Sequence, residues 1–398
     1  MAELRVIDTA DGFERAVDAI ARGEGPVAVD AERASGFRYS QRAYLIQVYR
    51  RGSGTFLFYP PPIGDFTPLE SVIGTEEWVL HAASQDLACL REVGLDPERI
   101  FDTELAARLL GMPRVGLGTV VEELLGIHLA KEHSAADWST RPLPQSWLNY
   151  AALDVELLVD LRDRLERELD EHRKLDLARQ EFDAVVHREA KPPAAEPWRR
   201  LSGIHGIRNP RNLAVARELW LTRDAHAAEL DVAPGRLVPD ASIVAAAKSL
   251  PRTRRALADL REFTGRASRS ELDRWWDAVE RGLETSELPA ARPVSDALPP
   301  PRAWVNRNPA ADARLRQARA DLAEVAERLE MPVENLLTPE YLRRVAWSPP
   351  EPLTVDAVRE ALAALGARPW QLAETAQTIT DAFVVAEQSL RDAEANAS

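Results

Sequence analysis

Cysteine is almost missing from this 398-residue chain: the single thiol, Cys89, excludes an internal disulfide and any zinc site built on several cysteines. Set among apolar residues of a helical pattern, it reads as core packing and not as a nucleophile. Lysine is scarce too, with Lys131, Lys174, Lys191 and Lys248 the only four among 50 basic residues. Long apolar runs are lacking, and no segment approaches the roughly 20 residues of a membrane span. The opening MAELRVIDTA lacks the basic-then-apolar order of a secretory leader. A cytoplasmic protein with no membrane partner is therefore expected. With 45% apolar residues and a mean hydropathy of -0.29, the composition is that of a globular protein. The chain is too long for one compact core, so two or three domains are expected.

Positive charge is also in deficit, with a net charge of -14. Phosphate backbones are bound chiefly by Lys and Arg, so the average argues against a nucleic-acid partner. The distribution reverses that argument. Residues 197–275 carry 15 Lys+Arg against 9 Asp+Glu, leaving -20 for the rest. An acidic body joined to a basic module suits a metal-dependent nuclease with a separate nucleic-acid-holding domain. An ordinary solvated helix face would also explain these arginines.

Two proline-rich stretches without apolar period, AKPPAAEP and ELPAARPVSDALPPPRA, read as extended spacers. They divide the chain into residues 1–188, a linker at 189–197, residues 198–286, a linker at 287–302, and residues 303–398. In the first part PVAVD, AYLIQVY, GTFLFY and WVLH are short β-branched or aromatic runs. SQDLACLREVG then turns helical, with Ser84 as N-cap candidate and Gly94 as stop. Alternation of strands and helices predicts a mixed α/β sheet. The run QSWLNYAALDVELLVDLRDRLERELD, 145–170, is expected to close this domain as one long helix. The remaining parts are helical throughout, and AHAAELDVAPGRLVPD (225–240) recurs weakly as VAERLEMPVENLLTPE (325–340), aligning Leu237 and Pro239 with Leu337 and Pro339. This reads as an internal duplication.

Within the first domain, Asp30 and Glu32 stand two apart after PVAV. They project from one face at the C-terminal end of a strand, where ligands of α/β sheets bind. Tyr150 and Asp154, four apart in a helix, are neighbours bordered by Leu148, Ala151, Ala152 and Val155. An aspartate so close to a buried surface needs a partner, and a metal ion is one. Asp86 follows the capping candidate Ser84, where acids are favoured electrostatically without catalytic purpose. Singly these signals have ordinary explanations: solvated acids, a core tyrosine with a rim charge, a helix-terminal acid. Four carboxylates and a phenol together suit a two-metal phosphodiester hydrolase.

VAVDAERASGFRYSQRAYLIQV, HAASQDLACL and DWSTRPLPQSWLNYAALDVELL resemble the three exonuclease motifs of the ribonuclease D family, the tyrosine-containing branch of the DEDD exonucleases. The agreement extends to FDTELAARLLG and spans about residues 4–188. Residues 209–284 resemble an HRDC domain, and the C-terminal repeat resembles a degenerate second one. The resemblance implies a ribonuclease H-like exonuclease domain with a mixed sheet, followed by two all-α HRDC-like domains. By motif it implies that Asp30, Glu32, Asp86 and Asp154 hold two divalent cations, Mg²⁺ or Mn²⁺, and that Tyr150 positions the attacking water. Oxygen-only ligation suits such hard ions. It further implies 3′→5′ hydrolysis of RNA to nucleoside 5′-monophosphates, as in processing of tRNA precursors.

Beyond these five residues, Asp102 could support the acid site but is expected to cap the helix beginning at Thr103, and His81 is expected to be a satisfied core histidine and not a ligand. Arg141 is a candidate phosphate contact, and Trp138 a candidate either to pack against the terminal nucleotide or to be simply a core residue. Lys248, Arg252, Arg254 and Arg255 are the candidates for backbone contacts farther away. A DNA exonuclease of the same fold and a non-catalytic RNA-binding scaffold are the competing readings. A monomer is expected, since three linked modules can surround a substrate without a symmetric partner.

Overall fold

The computed structural model describes residues 4–129, 136–189, 192, 194–263, 265–292 and 298–397. Lys131, residues 190, 191 and 193 of the first proline-rich stretch, and 293–297 of the second lie outside the described residues.

Val27, Ala28 and Val29 are buried without alternation, because the strand that holds them is covered on both faces. This is β2 (Glu24–Arg33), a central strand of a six-stranded sheet ordered β1-β4-β3-β2-β5-β6. The others are β1 (Val6–Ile7), β3 (Ala43–Arg51), β4 (Gly54–Phe58), β5 (Glu77–Leu80) and β6 (Arg99–Asp102). β2 runs antiparallel to β3 and parallel to β5, so the sheet is mixed. The four expected strands coincide with β2 to β5, while β1 and β6 are too short to show a period of two. Helix Ala10–Ala21, capped by the Thr9 hydroxyl accepting from Gly12 N, packs Phe13 edge-on against Phe58 and Phe66 at 5.5 and 5.0 Å. Burying one such ring stabilises the fold by roughly 1.5–3 kcal/mol.

The single helix expected over 145–170 is two helices, Gln145–Glu156 and Leu158–Glu171, interrupted at Leu157. No proline or glycine marks the break. The first packs on β2, β3 and β4, while the second packs on β5 and on helix Thr103–Leu109. Helix Leu175–Val186 then extends the domain beyond the expected closure, setting Phe182 against Phe101 of β6 at 4.9 Å.

Two helical modules follow with one internal order. A long helix, Pro210–Leu230 or Pro309–Arg328, leads into a single turn, Pro234–Leu237 or Val333–Leu336. A shorter helix comes next, Asp240–Ser249 or Pro339–Trp347. Leu272–Glu284 and Pro369–Ala397 then pack on the respective long helices. The middle module has its own apolar core around Leu219, Ile243, Phe263 and Trp275. Among the described residues the C-terminal one has no separate core: Leu315, Leu322, Ile379 and Phe383 belong to the same buried cluster as the sheet residues Val27 and Val79.

Candidate active site

β2 and helix Gln145–Glu156 bring Asp30, Glu32 and Asp154 together, each with a carboxylate oxygen within 4.8 Å of the others'. Asp30 pairs across the ladder with Gln47 of β3, whose fully buried amide donates to Asp30 Oδ2 at 3.4 Å. Asp86 lines the same cavity of about 500 Å³, with Tyr150, Ser35, His81, Gln85 and Ala136. All five residues expected from the motifs therefore face one space. Asp86 stands outside the tight trio, with Arg33 Nη2 3.7 Å from its carboxylate.

The segment carrying Asp86 differs from expectation. Ser84 caps nothing; it lies within a 3-10 turn, Ala83–Gln85, and Asp86 itself occupies the N-cap position of helix Leu87–Arg91. Its side chain makes no capping hydrogen bond, so of the helix-terminus explanation only the electrostatic preference for an acid remains. Asp102 does more than cap. It accepts from Glu104 N and Leu105 N, and also from Ala82 N and Ala83 N at 3.1 and 2.9 Å. One buried carboxylate thus ties the start of helix Thr103–Leu109 to the turn that presents Asp86.

Electrostatically the cavity is overloaded with negative charge. Burial, then Asp30, Asp154 and Asp86, push the Glu32 carboxyl up to about 10. Burial and the Asp30 charge raise Asp86 to about 8 and Asp154 to about 7. Burial raises Asp30 as well, against a backbone hydrogen bond and Arg33. Such acids either hold protons or neutralise a cation, and a set of hard oxygen donors without nitrogen or sulfur fits a divalent hard ion. Tyr150 is pushed well above the ordinary phenol range, by burial first and then by Asp154, to whose carboxylate it donates a hydrogen bond. It stays protonated at neutral pH. His81 is lowered to about 4 by burial and pairs through Nδ1 with the Thr103 hydroxyl at 2.9 Å. Its ring is satisfied, as expected, but it lines the cavity half-buried and is not a core residue. Burial likewise raises the Cys89 thiol to about 12, and its sulfur faces Asp86 O, consistent with core packing.

Two expected RNA contacts need correction. Trp138 is fully buried, packs on Trp147 and Tyr150 at 5.2 and 6.5 Å, and so backs the tyrosine instead of facing a nucleotide. Arg141 is spent internally: it donates to the carbonyls of Trp138, Thr140 and Tyr44 and lies 3.7 Å over the Tyr59 ring. Lys248, Arg252, Arg254 and Arg255 are exposed around the end of helix Asp240–Ser249, though Arg254 pairs with Asp273 and Arg255 with Asp259. Sequence reasoning missed Gln47 and Arg33. The first had a signal, a lone amide inside the apolar run AYLIQVY. The second sits beside Glu32 and had none.

The middle module docks on the loop joining β2 to β3. Asp231 accepts from Ser40 N, Arg42 and the Tyr44 hydroxyl at 2.9, 3.0 and 3.1 Å. Arg236 donates to Gly36 O and lies 4.2 Å over the Phe37 ring. Because Ser35 lines the acidic cavity, this docking reaches the edge of the site.

An acid cluster at the end of a central strand, completed by a Tyr-x-x-x-Asp helix, defines a 3′-5′ exonuclease domain, and a family model of that description matches residues 4–170. An HRDC model matches residues 212–279, and a model described as a 3′ to 5′ exonuclease C-terminal domain matches residues 297–383. Ribonuclease D of Pseudomonas paraeruginosa is 31% identical over 69% of this chain and 73% of its own length. For ribonuclease D of Granulibacter bethesdensis the identity is 32%, over 58% of each chain. Among solved structures, Escherichia coli RNase D superposes with a TM-score of 0.67 at 25% identity, over 91% of this chain and 98% of that one. A protein from Bifidobacterium adolescentis superposes with a TM-score of 0.88 at 36% identity, over 96% and 99%. The chain belongs to the ribonuclease D family of 3′-5′ exoribonucleases.

Proposed function

We propose that the chain hydrolyses RNA from its 3′ end to nucleoside 5′-monophosphates, with Asp30, Glu32, Asp86, Asp154 and Tyr150 as the catalytic set. The observation that carries this reading is the convergence of the first four carboxylates and the phenol on one cavity, three of the acids within 4.8 Å. Asp30, Glu32, Asp86 and Asp154 would hold two divalent ions, Mg²⁺ or Mn²⁺, which supply activation of water and neutralisation of charge on the attacking and leaving oxygens. The protein's own groups do the positioning. Gln47 fixes Asp30, Asp102 fixes the turn before Asp86, and Trp138 supports the Tyr150 ring. Tyr150, kept neutral and bonded to Asp154, orients the attacking water without acting as its base. Arg33 offsets part of the charge on Asp86.

The RNA substrate class rests on the ribonuclease D relatives, and maturation or turnover of stable RNA such as tRNA precursors is its physiological extension. The same reading divides the chain into a catalytic domain, 1–188, an HRDC domain, 198–286, and a degenerate HRDC-like domain, 303–398. It takes Lys248, Arg252, Arg254 and Arg255 as backbone contacts, the protein as monomeric, and the cytoplasm as its site of action. Among the described residues no helix is long and apolar enough to cross a membrane.

RNA and DNA oligonucleotides of one sequence, incubated with Mg²⁺, Mn²⁺ or EDTA, test the proposal. Stepwise loss of 3′ nucleotides from RNA, abolished by EDTA, is the expected result. Asp154→Asn is expected to lower turnover at least about a hundredfold, equivalent to about 2.7 kcal/mol of barrier. Preference for DNA would move the assignment to a DNA exonuclease, and inactivity with either metal would favour the scaffold.

A further inference from the structure

The middle module carries further basic residues beside the first turn of helix Pro210–Leu230, where both proline-rich stretches meet it. Arg199, His205, Arg208 and Arg292 line a cavity of about 290 Å³ floored by Ile204, Ile207 and Leu213, and among the described residues no carboxylate lines it. Arg199 is fixed there: it donates to both Glu196 oxygens and to Ala290 O, and lies 4.2 Å over the Trp198 ring. Its bond to Ala290 joins the chain entering the module to the chain leaving it. Arg208 and Arg292 are exposed and have no ion pair among the described residues, unlike Arg254 and Arg255. Leu213 lies in the first turn of helix Pro210–Leu230, so the positive end of that helix borders the same space.

We propose that this pocket binds a phosphodiester of the RNA strand upstream of the scissile end, through Arg208 and Arg292, with the isoleucine floor beneath the ribose. With no ion pair to either among the described residues, the guanidinium groups of Arg208 and Arg292 suit a phosphate oxygen, and two of them supply a fork geometry that a single lysine would not. The pocket lies outside residues 212–279, the stretch that matches the HRDC model, apart from Leu213. The proposal rests on the exoribonuclease reading and adds a contact remote from the acids.

The test uses the full chain and a single-stranded RNA of about 20 nucleotides, long enough to leave the catalytic cavity. Binding is followed against salt concentration in EDTA, and turnover is followed on this RNA and on a dinucleotide. Arg208→Ala with Arg292→Ala is expected to weaken binding of the long RNA roughly fivefold and to flatten its salt slope by about 0.7, the value for one phosphate on a single strand. Dinucleotide turnover is expected to stay at the wild-type level. Arg208→Lys with Arg292→Lys, which keeps the charge, is expected to restore the slope and part of the affinity. An unchanged slope in the alanine pair, or an equal loss on the dinucleotide, overturns the proposal. If the wild-type protein neither binds nor cleaves the long RNA, the exoribonuclease reading fails, and this one with it.

Discussion

Helices Pro210–Leu230 and Pro309–Arg328 both start at an asparagine cap followed by proline, and each leads into the same order of shorter helices. Their attachments to the catalytic domain are nonetheless opposite. The C-terminal module shares one apolar core with the sheet and is pinned by buried polar contacts. Arg368 and Trp370 Nε1 both reach Glu181, and Lys174 Nζ donates to Leu109 O and Glu330 O. Its middle counterpart has a separate core, against which only Tyr39 of the catalytic domain packs among the described residues, and touches that domain mainly through Asp224, Asp231, Ala233 and Arg236 on one loop. Similar helical sequences thus build a permanent wall in one case and a polar dock in the other. Buried apolar contact resists salt, whereas exposed ion pairs are screened by it.

The sharpest way to break this contrast is Glu181→Ala, which leaves Arg368 beside a buried surface without its carboxylate. A loss of about 3 kcal/mol is expected in the unit formed by the catalytic and C-terminal domains. Calorimetry resolving two transitions would show it, with that of the middle module unmoved. Gly111→Ala is expected to cost about 1–3 kcal/mol in the same transition. Gly111 has φ +76, and an added Cβ would stand 2.4 Å from Glu330 O.

A smaller effect belongs to the polar dock. Burial opposes ionisation of Asp231, but Ser40, Tyr44 and Arg42 outweigh it and hold the carboxyl down to about 2. A lowered carboxyl contributes its stabilisation above the unfolded pKa near 4, and loses it as pH falls from there towards 2. The group is largely solvated, so about 1 kcal/mol or less is at stake after screening. Hydrogen exchange of residues 36–44 should accelerate below pH 4 and in Asp231→Asn, with residues 175–186 unaffected. Equal responses in both segments would erase the distinction between the modules.

Much of the catalytic domain was legible because its signals are local. VAVDAE shows a buried strand ending in two acids on one face, and Tyr150 and Asp154 show a helical neighbour pair. The convergence of these pieces came from the resemblance of whole motifs, since no single spacing implies it. What escaped was set by tertiary contact. Leu157 interrupts a helix without a breaker, and Arg141 is consumed by three carbonyls. The merged core of the C-terminal module was also hidden, because its apolar positions repeat at helical spacing whichever surface they meet.

Titration of Mn²⁺ into the wild-type protein and into Asp30→Asn, at neutral pH and followed by calorimetry, tests most directly whether the acid cluster is a cation site. Two ions are expected to bind the wild type, with the substitution weakening or removing at least one of them, in step with loss of 3′-end hydrolysis. Identical binding isotherms for the two proteins would contradict the account.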